Sequence, residues 1–253
     1  MRRRAGPVAA VVAAVVVAAP VTALQLGRAG AAQEDAELVE RGEQLYLTGC
    51  VSCHGSGGVG VAGLGPSLIG AGAASAYFFL STGRMPAVEG ETGQSTRKQP
   101  AYSAEEIDAL VAYVASLGDG PPIPVVDIDT ADLARGGVLY RANCASCHNA
   151  SGVGGALTYG HNAPSLHEST PVQVVAAMRV GPGQMPVFDE ATLDEQAANE
   201  IAAYVEYLRD PDDPGGLSLG RIGPVTEGFI ALVVGLGGLC AIGVWIVGRR
   251  RHG

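Results

Sequence analysis

Two stretches of the chain share one alternation of apolar and polar positions. In SAEEIDALVAYVASL, Ile107, Leu110, Val111, Val114 and Leu117 recur every three or four residues and fall on one face of a helix. Ser103, with Glu106 three residues on, supplies a capping box at its start. In LDEQAANEIAAYVEYL, the matching positions are Ile201, Tyr204, Val205 and Leu208. A different pattern runs from Gly228 to Gly248, where GFIALVVGLGGLCAIGVWIVG has no polar face and no charge. Its 21 residues suffice for a helix to cross a bilayer. A weaker Ala/Val-rich run, Val8 to Leu24, follows MRRR. Helices are the elements these patterns predict, and the expected fold is all-α.

The two amphipathic helices close two copies of one unit. Glu37 to Leu117 and Asp132 to Leu208 present the same features in the same order. Each opens with Arg-Gly and then Leu-Tyr: Arg41, Gly42, Leu45 and Tyr46 in the first, Arg135, Gly136, Leu139 and Tyr140 in the second. Cys-x-x-Cys-His, Pro-Ser-Leu and Met-Pro follow in both. The expected organisation is an N-terminal segment 1–32, a first domain 33–118, a linker 119–131, a second domain 132–210, a linker 211–227, a spanning helix 228–248 and a basic tail 249–253. Pro121, Pro122 and Pro124 make the first linker a semi-rigid extended spacer.

Charge sharpens this picture. The net charge is -9, but Arg2 to Arg4 and Arg249 to Arg251 place six of the sixteen basic residues at the two ends. From Gln33 to Arg221 there are nine Lys/Arg against twenty-four Asp/Glu, which argues against a nucleic-acid partner, since phosphates call for a basic patch. The arginines after Gly248 place the C-terminus on the cytoplasmic side and both domains outside. Pro20, the weak hydrophobicity of the first run and the small residues Ala29-Gly30-Ala31 favour a signal peptide over a second spanning helix. Within the C-terminal helix, Ala231 and Gly235, and likewise Gly237 and Ala241, are small residues four apart that let a neighbouring membrane helix approach closely.

The chemistry lies in the repeated Cys-x-x-Cys-His. This order of ligands is the attachment signal of a c-type haem: each thiol adds to a vinyl group of the porphyrin, and the adjacent imidazole binds the iron. Covalent attachment suits an exported domain too small to hold a haem by burial alone. Cys50, Cys53 and His54 are therefore expected to hold one haem c, and Cys144, Cys147 and His148 a second. A zinc site would need four ligands, whereas the two motifs lie about 94 residues apart and each has its own histidine. A disulfide within each pair would not call for histidine twice at the same place.

The other axial ligand follows by elimination. The first repeat offers only Met85 and no histidine besides His54. In the second repeat Met178, Met185, His161 and His167 compete, but only Gln184-Met185-Pro186 reproduces the Met-Pro of Arg84-Met85-Pro86. Met178, between Ala177 and Arg179 on a helical stretch, reads as core packing. A thioether opposite histidine favours ferrous iron and suits electron transfer. The glycines after each histidine, Gly55 to Gly60 and Gly152 to Gly155, let the chain turn closely at the porphyrin edge. Pro66 and Pro164 are candidates for presenting a carbonyl to the ring N–H of His54 and His148.

Together, the opening helix, Cys-x-x-Cys-His, Pro-Ser-Leu, Met-Pro and the closing helix with its aromatic residue (Tyr113, Tyr204) resemble class I cytochrome c domains across nearly all of residues 37 to 209. Two such domains in tandem before one spanning helix resemble the dihaem cytochrome c subunit of the actinobacterial menaquinol:cytochrome c reductase, the cytochrome bcc complex. The resemblance implies a cytochrome b subunit, a Rieske iron–sulfur subunit and a haem–copper oxidase as partners. It further implies electron transfer from the iron–sulfur protein through the N-terminal and then the C-terminal haem. The alternative is a dihaem redox enzyme, such as a peroxidase or a sulfur-compound oxidase, which needs an open or displaceable iron position. A redox or gas sensor is disfavoured because only a few residues follow the spanning helix.

Overall fold

A computed structural model of the chain describes residues 33–87, 96–212 and 224–252. The expected leader or anchor over 1–32 and most of the 211–227 linker lie outside the described residues. The rest is mainly helical and divides into two compact units. One comprises the described parts of Met1–Pro86 and Gln99–Pro122, the other those of Ala87–Lys98 and Ile123–Gly253.

In the first unit, α1 spans 33–49 and α2 Val51–His54, with α3 at Gly72–Ser81 and α4 at Ala104–Ser116. The capping box at the start of α4 is formed as the sequence indicates. The Glu106 carboxylate accepts from the Ser103 amide at 2.8 Å, and the Ser103 hydroxyl accepts from the Glu106 amide at 3.3 Å. The apolar face of α4 buries Ile107, Leu110 and Val111 in one cluster with Tyr46 of α1 and Leu80 of α3, and Val114 is buried as well. Each such aliphatic side chain contributes roughly 1.5–3 kcal/mol on burial. Closest approach is at Gly42, where a Cβ would collide with the Ala109 carbonyl of α4. Tyr46 and Tyr113 stack across this crossing, ring centroids 5.0 Å apart. The start of the Pro-rich linker belongs to this unit, since the Ala74 amide donates to the Pro121 carbonyl at 3.0 Å.

The second unit repeats the plan with α5 (Leu133–Asn143), α6 (Ala145–His148), α7 (Pro171–Val180) and α8 (Glu195–Tyr207). Gly136 meets the Glu200 carbonyl as Gly42 meets Ala109, and Tyr140 stacks on Tyr204 at 5.4 Å. Its core gathers Tyr140, Val174, Val175, Met178, Ile201 and Val205, with Val126 and Ile128 of the linker packed alongside. An addition distinguishes it: β1 (Gly155–Ala156) and β2 (Asn162–Ala163) pair antiparallel, with Tyr159 at the hairpin tip. The described residues 96–98 group with this unit, where the Arg97 guanidinium donates to the Gln173 side-chain oxygen at 3.0 Å.

The C-terminal helix begins as α9 (Pro224–Ile230), passes through a π-helical stretch at Ala231–Leu236 and continues as α10 (Gly237–His252). Its apolar portion, Thr226–Arg249, is 24 residues long. That corresponds to about 36 Å at the α-helical rise, enough for the roughly 30 Å of a bilayer core. Its apolar side chains face outward, as a lipid-embedded helix requires. Arg249 lies over the Trp245 ring at 4.9 Å, an aromatic and a cation at the expected interface end.

At one crossing the two units differ. Where the first has Ala109, the second has Glu200, fully buried on α8. Its Oε1 accepts from Arg135 Nη1 at 3.2 Å and from Gln196 Nε2 at 3.0 Å, while Oε2 has no partner. A buried carboxylate that loses its cation is more costly than an apolar replacement of the whole pair. Arg135→Met should therefore destabilise the second unit by about 1–3 kcal/mol in denaturant unfolding. Adding Glu200→Ala, the first unit's residue, should restore most of that loss. Equal destabilisation by the single and double variants would show that the pair is not what the crossing depends on.

Candidate haem-binding sites

Each site is one helical turn followed by a loop that returns to it. The His54 amide donates to the Cys50 carbonyl at 2.9 Å, and the His148 amide to the Cys144 carbonyl at the same distance. Two thiols and an imidazole are thereby presented along one short segment, with Cys50 or Cys144 capping the start of α2 or α6 and the other two residues on it. All four thiols are free, with Cys53 and Cys147 exposed and Cys50 and Cys144 half-buried. Burial pushes the Cys50 thiol pKa up, and that of Cys144 up to about 11. Among the described residues no three His, Cys, Asp or Glu side chains converge as a metal cluster.

The returning loop fixes the imidazole. His54 Nδ1 lies 2.8 Å from the Pro66 carbonyl oxygen, and His148 Nδ1 lies 2.9 Å from that of Pro164. A carbonyl only accepts, so Nδ1 carries the proton and the Nε2 lone pair is left for a metal. Burial lowers the His148 pKa, which favours the neutral ring that such ligation requires. These are the prolines that Pro-Ser-Leu marks in the sequence. The serine and leucine act as well: the Leu68 amide donates to the Gly58 carbonyl at 2.8 Å, and the Leu166 amide to that of Gly152 at 2.8 Å.

The sequence marks Tyr46 and Tyr140 as a shared feature without revealing their role. The Tyr46 hydroxyl donates to the Gly55 carbonyl at 2.5 Å, and that of Tyr140 to the Asn149 carbonyl at 2.7 Å. In both units the acceptor directly follows the histidine, so a buried phenol ties the opening helix to the attachment turn. The offset of four residues between each tyrosine and the following cysteine, the same in both repeats, was the available signal.

Met85 and Met185 both lie at the margin of their unit's core, half-buried. The Met85 amide donates to the Phe79 carbonyl at 3.1 Å, and the Met185 amide to that of Pro182 at 3.1 Å. Met178 is only 2% exposed and sits within the hydrophobic core, as its helical setting implies. His167 Nε2 is engaged by the Ser151 carbonyl at 2.7 Å, a tie within its own loop.

These residues fit a covalently attached haem. The thiols are unpaired and spaced by one turn, the imidazole is oriented with one nitrogen free, and the loop leaves no room for side chains at its turning point. Gly60 and Gly154 each have φ +84°, and a Cβ on Gly60 would lie 2.6 Å from the Ser67 amide nitrogen. Replacing Cys50 and Cys53 together by alanine should halve the covalent haem per chain, measured by pyridine haemochrome on denatured protein. Retention of two haems would exclude the first motif as an attachment site.

Comparison with known proteins agrees with this geometry. Residues 39–118 match the family model for cytochrome c, and residues 131–205 match that for cytochrome c oxidase, cbb3-type, subunit III. The cytochrome bc1 complex cytochrome c subunit of Mycobacterium tuberculosis is 44% identical over 225 residues, covering 86% of this chain and 80% of the relative. That of Mycobacterium leprae is 42% identical over 225 residues, covering 86% and 78%. The Corynebacterium diphtheriae subunit is 40% identical over 238 residues, covering 87% and 84%. With both attachment turns complete, this chain carries two covalently bound haem c groups and belongs to the family of cytochrome bc1 complex cytochrome c subunits.

Proposed function

We propose that this membrane-anchored cytochrome conducts single electrons from a quinol-oxidising Rieske/cytochrome b assembly to a haem–copper oxidase, with both units on the extracytoplasmic side. It serves as the electron-transfer subunit of an oxidoreductase and translocase, with no catalytic site of its own. The observation that carries this reading is the duplication of a complete ligand set on one anchored chain. Bound haem supplies reversible one-electron chemistry. The chain's own residues set the conditions for it. Cys50, Cys53, Cys144 and Cys147 would hold the two groups, His54 and His148 would offer the iron a fixed nitrogen, and Met85 and Met185 would supply it a thioether.

The carbonyls of Pro66 and Pro164 hold the rings in one tautomer and one orientation, so little rearrangement accompanies a change of charge. An acidic exterior suits a partner with a basic docking face. The apolar helix, with its small residues Ala231, Gly235, Gly237 and Ala241, supports side-by-side packing on a membrane subunit such as cytochrome b. In the order the family resemblance implies, the first unit takes electrons from the iron–sulfur protein and the second delivers them to the oxidase.

The test is to disable one site at a time in membranes. Met85→His should lower the first haem's potential by on the order of 100 mV or more. It should also abolish that haem's weak red-region band of methionine-ligated ferric iron, and slow quinol-driven reduction of the second haem in stopped-flow spectroscopy. Normal-rate reduction of the second haem would rule out a serial relay entered through the first unit.

A further inference from the structure

We propose that Arg179 is a positioning residue that keeps the Met185 thioether on the iron of the second unit, an inference resting on the reading of Met185 as the axial ligand. Between α7 and α8 the chain runs from Gly181 to Asp194 without helix or strand, and Met185 lies in this loop. Among the described residues, three hydrogen bonds beyond the helix cap tie the loop back to α7. The Phe188 amide donates to the Met178 carbonyl at 2.8 Å. The other two come from a single nitrogen, Arg179 Nη1, which donates to the carbonyls of Phe188 and Leu193 at 2.8 Å each. Both backbone groups of Phe188, three residues past Met185, are thus held by α7.

The near end of the loop is closed as well. Gly181 ends α7 in the left-handed conformation, and a Cβ there would lie 2.9 Å from the Met185 carbonyl oxygen and 3.0 Å from the Val187 amide nitrogen. The short stretch from Pro182 to Val187 is therefore strapped at both ends, with the guanidinium as the far strap. Hydrogen bonds from a charged donor are about twice as strong as neutral ones, and one nitrogen spanning two carbonyls five residues apart leaves the loop little freedom. Beyond Phe188, Asp189 accepts from the Thr192 hydroxyl at 2.7 Å and from its amide at 2.8 Å, which shapes the turn that brings Leu193 back to Arg179. No arginine stands at the matching end of α3, which reads Phe79-Leu80-Ser81. The first haem, held by the other unit, serves as an internal control for substitutions at Arg179.

The test uses the full-length holoprotein in its membrane complex, with imidazole as a competing ligand for ferric iron. Arg179→Gln should raise the imidazole affinity of the second haem roughly tenfold or more. It should also lower that haem's midpoint potential and leave the first haem unchanged on both counts. Arg179→Lys, which keeps the charge but not the fork, should fall between. Unchanged imidazole affinity and potential at the second haem overturns the proposal, also when the thermal midpoint falls, since that pattern marks a structural role alone. If Arg179→Gln does not accumulate, Arg179→Lys is titrated in its place, and a wild-type curve overturns the proposal. Met185→Leu separates this from the ligand assignment. An intact methionine–iron band at the second haem in that variant overturns the assignment and the proposal together, whereas its loss beside a silent Arg179→Gln overturns the proposal alone.

Discussion

The hydrogen bond from a histidine ring nitrogen to a proline carbonyl, formed once in each unit, is the constraint around which both sites are arranged. The thiols of an attachment turn fix where a porphyrin is joined, but an imidazole is free to rotate and to exchange tautomers. Pro66 and Pro164 remove both freedoms at His54 and His148. To place that carbonyl the chain must leave the attachment turn, reverse and come back. The tight glycine turn, the bonds from Leu68 and Leu166, and the tyrosine hydroxyls on the carbonyls after each histidine all serve that return path.

The duplication also shows which parts of the plan tolerate change. The return path is 12 residues long from His54 to Pro66 and 16 from His148 to Pro164, yet the final bond differs by only 0.1 Å. The additional residues go into a hairpin with Tyr159, almost wholly exposed, at its tip. At the helix crossing, glycine against a backbone carbonyl is kept in both units, because any side chain would force the helices apart. The buried neighbour is free to change, and Ala109 is replaced by Glu200 with its arginine and glutamine partners.

Much of this was legible in the chain itself. The capping box at Ser103, the buried faces of α4 and α8, the attachment turns, the role of the two prolines and the apolar span all follow from short-range pattern, where local rules act. What escaped depends on contacts that sequence does not mark. Arg179 and the two tyrosines bond to backbone carbonyls, which every residue carries. Glu200 lies in NEIAAYVEY, where an acid would be expected on the solvent face, and only the crossing of α5 over α8 buries it. The linker reads as an extended spacer by its prolines, but Pro121 bonds to α3 and Val126 and Ile128 join the second core. The π-helical stretch of the spanning helix has no signature in a uniformly apolar run.

The central claim is that this chain carries two haems that conduct electrons and leave no iron open to substrate. Carbon monoxide titration of the fully reduced protein, combined with redox potentiometry, tests it most directly. Two covalent haems, each titrating as a one-electron centre and each refusing the gas, is the result this account predicts. Stoichiometric binding of carbon monoxide at either haem would contradict it and point to a dihaem redox enzyme with an exchangeable ligand position.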